Sequence, residues 1–178
     1  KPWSVYFQLS NTGTKATSEW RQRFGFTHSQ LTGNDDVLRV DYITSSFDSA
    51  NAITGSYEFP AFTERMRGRV YGSYSEFNAS DVGQAGAEFD GRTWMLGGEL
   101  AWNIYQRGPT FLDLFGGARW QNVRVNDRTL GETGKDDFFI PYAGVRLERA
   151  TDRNVTFAAV TLEGNLGDLA DTSSPALN

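Results

Sequence analysis

The sequence has no cysteine and a single histidine, His28. Without cysteine there are no disulfides, no thiolate metal sites and no cysteine nucleophile. One imidazole leaves almost nothing from which to build a histidine-based metal centre or acid–base site. No apolar run approaches the roughly 20 residues that a spanning helix requires, and mean hydropathy is -0.48. Basic residues are outnumbered, 17 Lys and Arg against 22 Asp and Glu, for a net charge of -5. Phosphate neutralisation needs a basic surface, so nucleic-acid binding is not expected. The opening "KPWSVYFQLS" has no charged segment followed by an apolar one, as a signal peptide would. The sequence begins with Lys1 rather than Met and is expected to be a processed or excised piece.

What the chain does have is aromatic residues at 14% and 19 glycines, with no helix-type patterning. Its 178 residues suffice for one domain. Apolar and polar residues alternate with a period of two in nine segments, the period of strands. In residues 3 to 10, Trp3, Val5, Phe7 and Leu9 share a face. From about 20 to 30, Trp20, Phe24 and Phe26 oppose Arg21 and Arg23. Leu38, Val40 and Tyr42 oppose Arg39 and Asp41, and Ile53, Tyr57 and Phe59 oppose Glu58. "MRGRVYGSYSEF" sets Met66, Gly68, Val70, Gly72 and Tyr74 against Arg67, Arg69 and Tyr71. In the next two segments Trp94, Leu96, Leu100 and Trp102 oppose Glu99, and Leu112, Leu114 and Trp120 oppose Asp113 and Arg119. The last two set Phe139, Val145 and Leu147 against Tyr142, Arg146 and Glu148, and Val160 and Leu162 against Glu163.

The connections alternate too. "LTGNDD", "PAFTER", "QRGP" and "ATDRN" are turn-like, whereas "NASDVGQAGAEFDGR" and "NDRTLGETGKDD" read as long polar loops. The one exception is "SSFDSA", between the third and fourth segments, which is no longer than a turn. An up-and-down meander with one trimmed end and one loopy end is the pattern of outer-membrane barrels, whose short turns are periplasmic.

Alternation alone does not say which face is wet. A soluble barrel buries its apolar face inside, and a membrane barrel does the reverse. Three features favour the membrane arrangement. Aromatic residues gather near segment ends on the apolar side, where rings suit a water–lipid boundary: Trp3, Trp20, Tyr42, Tyr57, Tyr74, Trp94, Trp102 and Trp120. The same side carries small residues, including Gly68, Gly98, Gly116 and Ala143, which would leave holes in a close-packed core. The polar side mixes both signs in mid-segment: Arg23, Arg39, Asp41, Glu58, Arg67, Arg69, Glu99, Asp113, Arg119, Arg146, Glu148 and Glu163. Such groups can pair across strands inside a water-filled lumen. The expected fold is therefore all-β, an antiparallel up-and-down transmembrane barrel or barrel segment of about nine strands. Since single-chain bacterial barrels close with an even number of strands, residues 1–178 are expected to form part of a larger barrel. The alternatives are a soluble lipocalin-like barrel binding a small apolar ligand and a small structural outer-membrane barrel.

At residues 3 to 44 the text becomes more specific. "WSVYFQLSNTGTKATSEWRQRFGF" followed by "QLTGNDDVLRVDYITS" resembles the start of the translocator barrel of two-partner secretion systems, the ShlB/FhaC/HecB-like haemolysin secretion and activation family. The matching positions are Asn11, Gly13, Thr17 and Trp20, then Gly33 and Asp35. "GSYEFPAFTERMRGRVYGSYSEF" is similar to the family's next hairpin, with a proline at its turn. The resemblance implies periplasmic POTRA domains before a sixteen-stranded barrel and a later Arg-Gly loop folded into the pore. No segment of this sequence matches those parts. It further implies a bacterial outer-membrane protein with lipid and a secreted exoprotein as partners, exporting the unfolded exoprotein passively. No enzymatic activity, cofactor, metal or small-molecule substrate is expected.

Other motifs are weak. "GETGK", residues 131 to 135, lacks the glycine spacing and the hydroxyl residue of a phosphate loop and reads as a solvated loop. Asp35-Asp36 and Asp136-Asp137 lack calcium-loop spacing and read as loop solvation. Glu99 and Asp113 could form a carboxylate pair for acid–base work, but nothing would raise one pKa, so a wall role is preferred. His28 falls near a segment end on the apolar side, an interfacial rather than a metal site.

Overall fold

The computed structural model describes residues 2–13, 19–47, 49–80, 88–127 and 132–166. Nine strands appear among them: β1 (Trp3–Ser10), β2 (Arg21–Ser29), β3 (Val37–Ser45), β4 (Ala50–Pro60), β5 (Met66–Ser80), β6 (Glu88–Arg107), β7 (Thr110–Asp127), β8 (Glu132–Ala150) and β9 (Val155–Glu163). They form one antiparallel sheet in sequence order, each strand pairing with the next. This is the meander that period-two patterning with hairpin connections predicts.

One end of the sheet is trimmed. There β6 and β7 are joined by Gly108-Pro109 alone, with Gly108 at φ 54, a backbone shape open to glycine at little cost. The other end departs from the sequence-based expectation. Most of the two expected long loops is strand: β5 runs to Ser80, β6 starts at Glu88, β7 runs to Asp127 and β8 starts at Glu132. Thr133, Gly134 and Lys135 of the "GETGK" stretch pair with β7, so this piece is a strand rather than a loop. Ladder hydrogen bonds satisfy the backbone without an apolar face, which is why polar composition misled the loop assignment.

The pattern of exposure is inverted relative to a water-soluble sheet. On β6, Trp94, Leu96, Leu100 and Trp102 are exposed while Met95, Gly97, Glu99 and Asn103 between them are shielded. On β8, Phe139 and Val145 are exposed beside half-buried Ile140 and Arg146. Among the described residues only Ala61 and Phe115 are buried hydrophobics. There is thus no conventional core. On these strands the polar face is the better shielded of the two. Among the described residues no helix is long and apolar enough to cross a membrane.

Candidate functional site: the polar face and its aromatic frame

Register places the charged residues on one side and brings most of them into pairs. Arg23 on β2 meets Asp41 on β3 at 3.2 Å, and the Tyr6 hydroxyl donates to the same carboxylate. Arg67 on β5 meets Glu58 on β4 at 2.6 Å and Asp35, in the turn between β2 and β3, at 3.1 Å. Asp113 on β7 accepts from the Asn103 amide at 2.7 Å and faces Arg146 on β8 at 3.7 Å. Arg119 reaches past β8 to Glu163 on β9 at 3.0 Å. Arg69 stacks on the Tyr71 ring, 5.3 Å from its centroid. Arg39 and Glu148 lie on the same side, exposed, and form no ion pair among the described residues. Glu99 and Asp113 are not a carboxylate pair: Glu99 accepts from the Tyr142 hydroxyl at 3.1 Å, and Asp113 belongs to Asn103 and Arg146.

Half-exposed ion pairs of this kind contribute only ~0–1 kcal/mol each. Their consequence is a surface of closely alternating sign, with no large field of either charge. Two clefts of about 320 and 330 Å³ open on it, and Arg69 lines both. The first lies toward the turn end, among Glu58, Arg67, Glu99, Asp113 and Arg146. The second lies among Arg39, Asp41, Ser56, Tyr71 and Met95.

Sequence reasoning missed a set of aromatic rings laid over glycines on this same face. The Tyr71 and Tyr142 hydroxyls bond at 2.9 Å although β6 and β7 lie between their strands. They meet because the positions beneath them are bare. A Cβ on Gly97 would sit 2.6 Å from the Tyr71 ring, and one on Gly117 would sit 2.8 Å from the Tyr142 hydroxyl. Tyr6 lies over Gly25 and Phe115 over Gly144 in the same way. Ring-over-glycine packing covers an otherwise naked backbone and pins the cross-strand register. The available signal was the doublets Gly97-Gly98 and Gly116-Gly117, which must put one glycine on each face.

On the apolar side the rings form rows. Phe7, Phe24, Tyr42, Ile53, Tyr74 and Trp94 are consecutive cross-strand partners from β1 to β6. Trp120 pairs with Phe139 one step nearer the turns. Toward the turn end stand Trp3, Tyr57, Phe59 and Trp102. Trp20 precedes β2 and lies outside these rows. One step above the first row the apolar side turns polar: Gln22, Thr44, Asn51, Glu76, Arg92, Arg124 and Lys135. The side chain changes character within two residues, roughly 7 Å along a strand.

The turn between β2 and β3 corrects one expectation. Asp36 is fully buried, not solvated, and accepts from the Thr32 amide at 3.1 Å and from the Thr32 hydroxyl at 3.1 Å. Burial alone would push its carboxyl up, but donors from Thr32 and Tyr57 hold it below the usual carboxylate value. Asp35 stays exposed and pairs with Arg67. Of the motif positions, Thr17 lies outside the described residues. His28 is half-buried beside Phe26, and its Nδ1 has no hydrogen-bond partner. Among the described residues no group of three His, Asp or Glu could hold a metal ion.

A meander with one unpacked apolar face, ring rows near its two ends and an opposite face of paired charges has the form of a segment of a β-barrel of the outer-membrane type. The family model for the haemolysin secretion/activation protein ShlB/FhaC/HecB matches residues 1–131, and the chain belongs to that family. Among solved structures the chain is similar to CdiB from Escherichia coli, with a TM-score of 0.79 at 14% identity over 98% of this chain. It spans about a third of CdiB, 34%, and at that identity the likeness concerns the fold. No curated protein matches the chain.

Proposed function

We propose that these strands form part of the wall of an outer-membrane secretion pore, apolar face to lipid and polar face to an aqueous lumen. The observation that carries this reading is the inverted exposure: Trp94, Leu96, Leu100 and Trp102 stand exposed with nothing packed on them, while most of the charged groups on the other face are half-buried and paired. The aromatic rows then mark the two membrane boundaries, with the short turns on the periplasmic side and the extended hairpins outside the cell. Edge strands β1 and β9 carry unpaired backbone groups that lipid cannot satisfy. The remaining strands of a larger barrel supply their partners, with the POTRA domains on the periplasmic side.

In this reading an unfolded exoprotein slides over the charged wall. Each contact is an ion pair or hydrogen bond that water and neighbouring side chains can replace at little cost, so no segment is held. The alternating signs keep extended polar chain hydrated and give hydrophobic segments nowhere to bind. No nucleotide hydrolysis enters, and folding outside the cell supplies direction.

Two measurements test it. The purified chain should require detergent and show heat-dependent migration on a gel, whereas solubility without detergent would contradict membrane insertion. In planar-bilayer recordings of the full transporter, replacing Arg67 and Arg69 together by Ala should shift ion selectivity toward cations. Unchanged selectivity would remove both residues from the lumen.

A further inference from the structure

All four arginine–ring contacts among the described residues lie on the polar face, and in each the ring lies on a glycine. The Arg23 guanidinium is 5.5 Å from the centre of the Tyr6 ring, Arg69 is 5.3 Å from Tyr71, Arg119 is 5.9 Å from Tyr142 and Arg146 is 5.4 Å from Phe115. Beneath the rings are Gly25, Gly97, Gly117 and Gly144. Register makes the grouping recur. Each ring is the direct cross-strand partner of its glycine. Each arginine stands two residues along a strand from that glycine, or for Arg69 from the ring itself, and so shares its face. A bare glycine lets the ring lie down, and the ring offers its π-system to the neighbouring guanidinium. Phe59 on Gly68 and Phe77 on Gly91 seat in the same way with no arginine in contact, so the guanidinium is not what holds a ring down.

A second hold acts on the same arginines. Arg23 pairs with Asp41 at 3.2 Å, Arg119 with Glu163 at 3.0 Å and Arg146 with Asp113 at 3.7 Å. Arg69 stands in register between Glu58 and Glu99. A half-exposed ion pair alone exchanges readily with water. Ring and carboxylate together fix the planar group in one place. An unpinned guanidinium in a pore would fork the carboxylates of any acidic chain that passed.

We infer that Tyr6, Tyr71, Phe115 and Tyr142 are positioning residues for export: they hold Arg23, Arg69, Arg119 and Arg146 on the wall and keep them from gripping acidic side chains of the passing exoprotein. The inference rests on the lumen reading proposed above. It goes beyond cover for the glycine backbone, which any apolar side chain of similar size supplies, because only a ring also holds the arginine.

The test compares the full transporter with Y71L and F115L, which cover the glycine without a ring, and with Y71F and F115Y, which keep one. Heat-dependent gel migration selects folded protein, and methionine replaces leucine at a position where leucine prevents folding. One readout is the rate at which hydroxyphenylglyoxal, a water-soluble arginine reagent, modifies Arg69 and Arg146 in vesicles, followed by peptide mass spectrometry. The other is the duration of current blockades by a poly-glutamate peptide in planar bilayers. Loss of the ring at Tyr71 should speed modification of Arg69, and loss at Phe115 that of Arg146, by about two- to fivefold, and poly-glutamate blockades should lengthen by a similar factor. The ring-bearing variants should match the parent, and blockades by a glycine–serine peptide of equal length should not change. Equal modification rates, or equal poly-glutamate blockades, in ringless and ring-bearing proteins overturn the inference. If Arg69 and Arg146 stay unmodified in every variant while Arg153 at the turn end reacts, the lumen reading itself falls.

Discussion

The tyrosine pair over the bare glycines makes the sharpest stability prediction. Tyr71→Phe removes one neutral hydrogen bond, the 2.9 Å contact to Tyr142, and should cost about 1 kcal/mol. Tyr142→Phe removes that bond and the donor to Glu99 at 3.1 Å, a charge-assisted contact worth about 1.5–3 kcal/mol more. The double variant should cost no more than Tyr142→Phe alone, because the shared bond is counted once. The coupling energy is therefore about 1 kcal/mol. Gly97→Ala should be at least as costly as Tyr71→Phe, since its Cβ would lie 2.6 Å from the Tyr71 ring and displace it. In a Tyr71→Ala background the same change should become neutral or stabilising, by up to about 1 kcal/mol, because alanine suits a strand better than glycine. Urea titration of the folded barrel in lipid vesicles, read by heat-dependent gel migration, gives these values. Equal cost of Gly97→Ala in both backgrounds would refute the ring-over-glycine explanation.

Other outcomes follow from the turn and the faces. Because the Asp36 carboxyl is held below its ordinary value by Thr32 and Tyr57, its contribution is complete above the unfolded carboxylate pKa near 3.9 and is lost as pH falls through the lower folded value. Hydrogen exchange should therefore show the Thr32 amide protected from pH 8 to 5 and released in acid, and Asp36→Asn should abolish that step. Two neighbouring substitutions on β6 should differ widely. Leu96→Arg, on the exposed apolar side, should cost about 2–4 kcal/mol in vesicles, while Met95→Arg should cost less than about 1 kcal/mol. Similar costs at the two positions would contradict the assignment of faces.

The fold was legible because period-two patterning needs no partner to be recognised: Trp94, Leu96, Leu100 and Trp102 announce a face in a single segment. Strand ends beyond the ring rows were not legible. There the face that bears Trp94 turns polar, as at Glu76, Arg92, Arg124 and Lys135, while the opposite face carries Phe77 and Val125, so the alternation no longer marks the same side although the ladder continues. The charged residues could be named from parity, but their pairings could not. Whether Asp113 meets Glu99 or Arg146 depends on cross-strand register, and register is set by contacts such as Tyr142 over Gly117 that join residues far apart in sequence. Asp36 was misread for a related reason: its donors include Tyr57, which lies on β4, beyond the next turn of the chain.

The arrangement of hydrocarbon outside and water inside can be read by single-cysteine labelling, to which residues 1–178 contribute no cysteine of their own. Cysteine placed in turn at Met95, Leu96, Glu99, Leu100, Trp102 and Asn103 of the full transporter in vesicles would be exposed to a charged, membrane-impermeant thiol reagent. Reaction is expected at Met95, Glu99 and Asn103 and protection at Leu96, Leu100 and Trp102. Protection at the first three with reaction at the second three would contradict that arrangement.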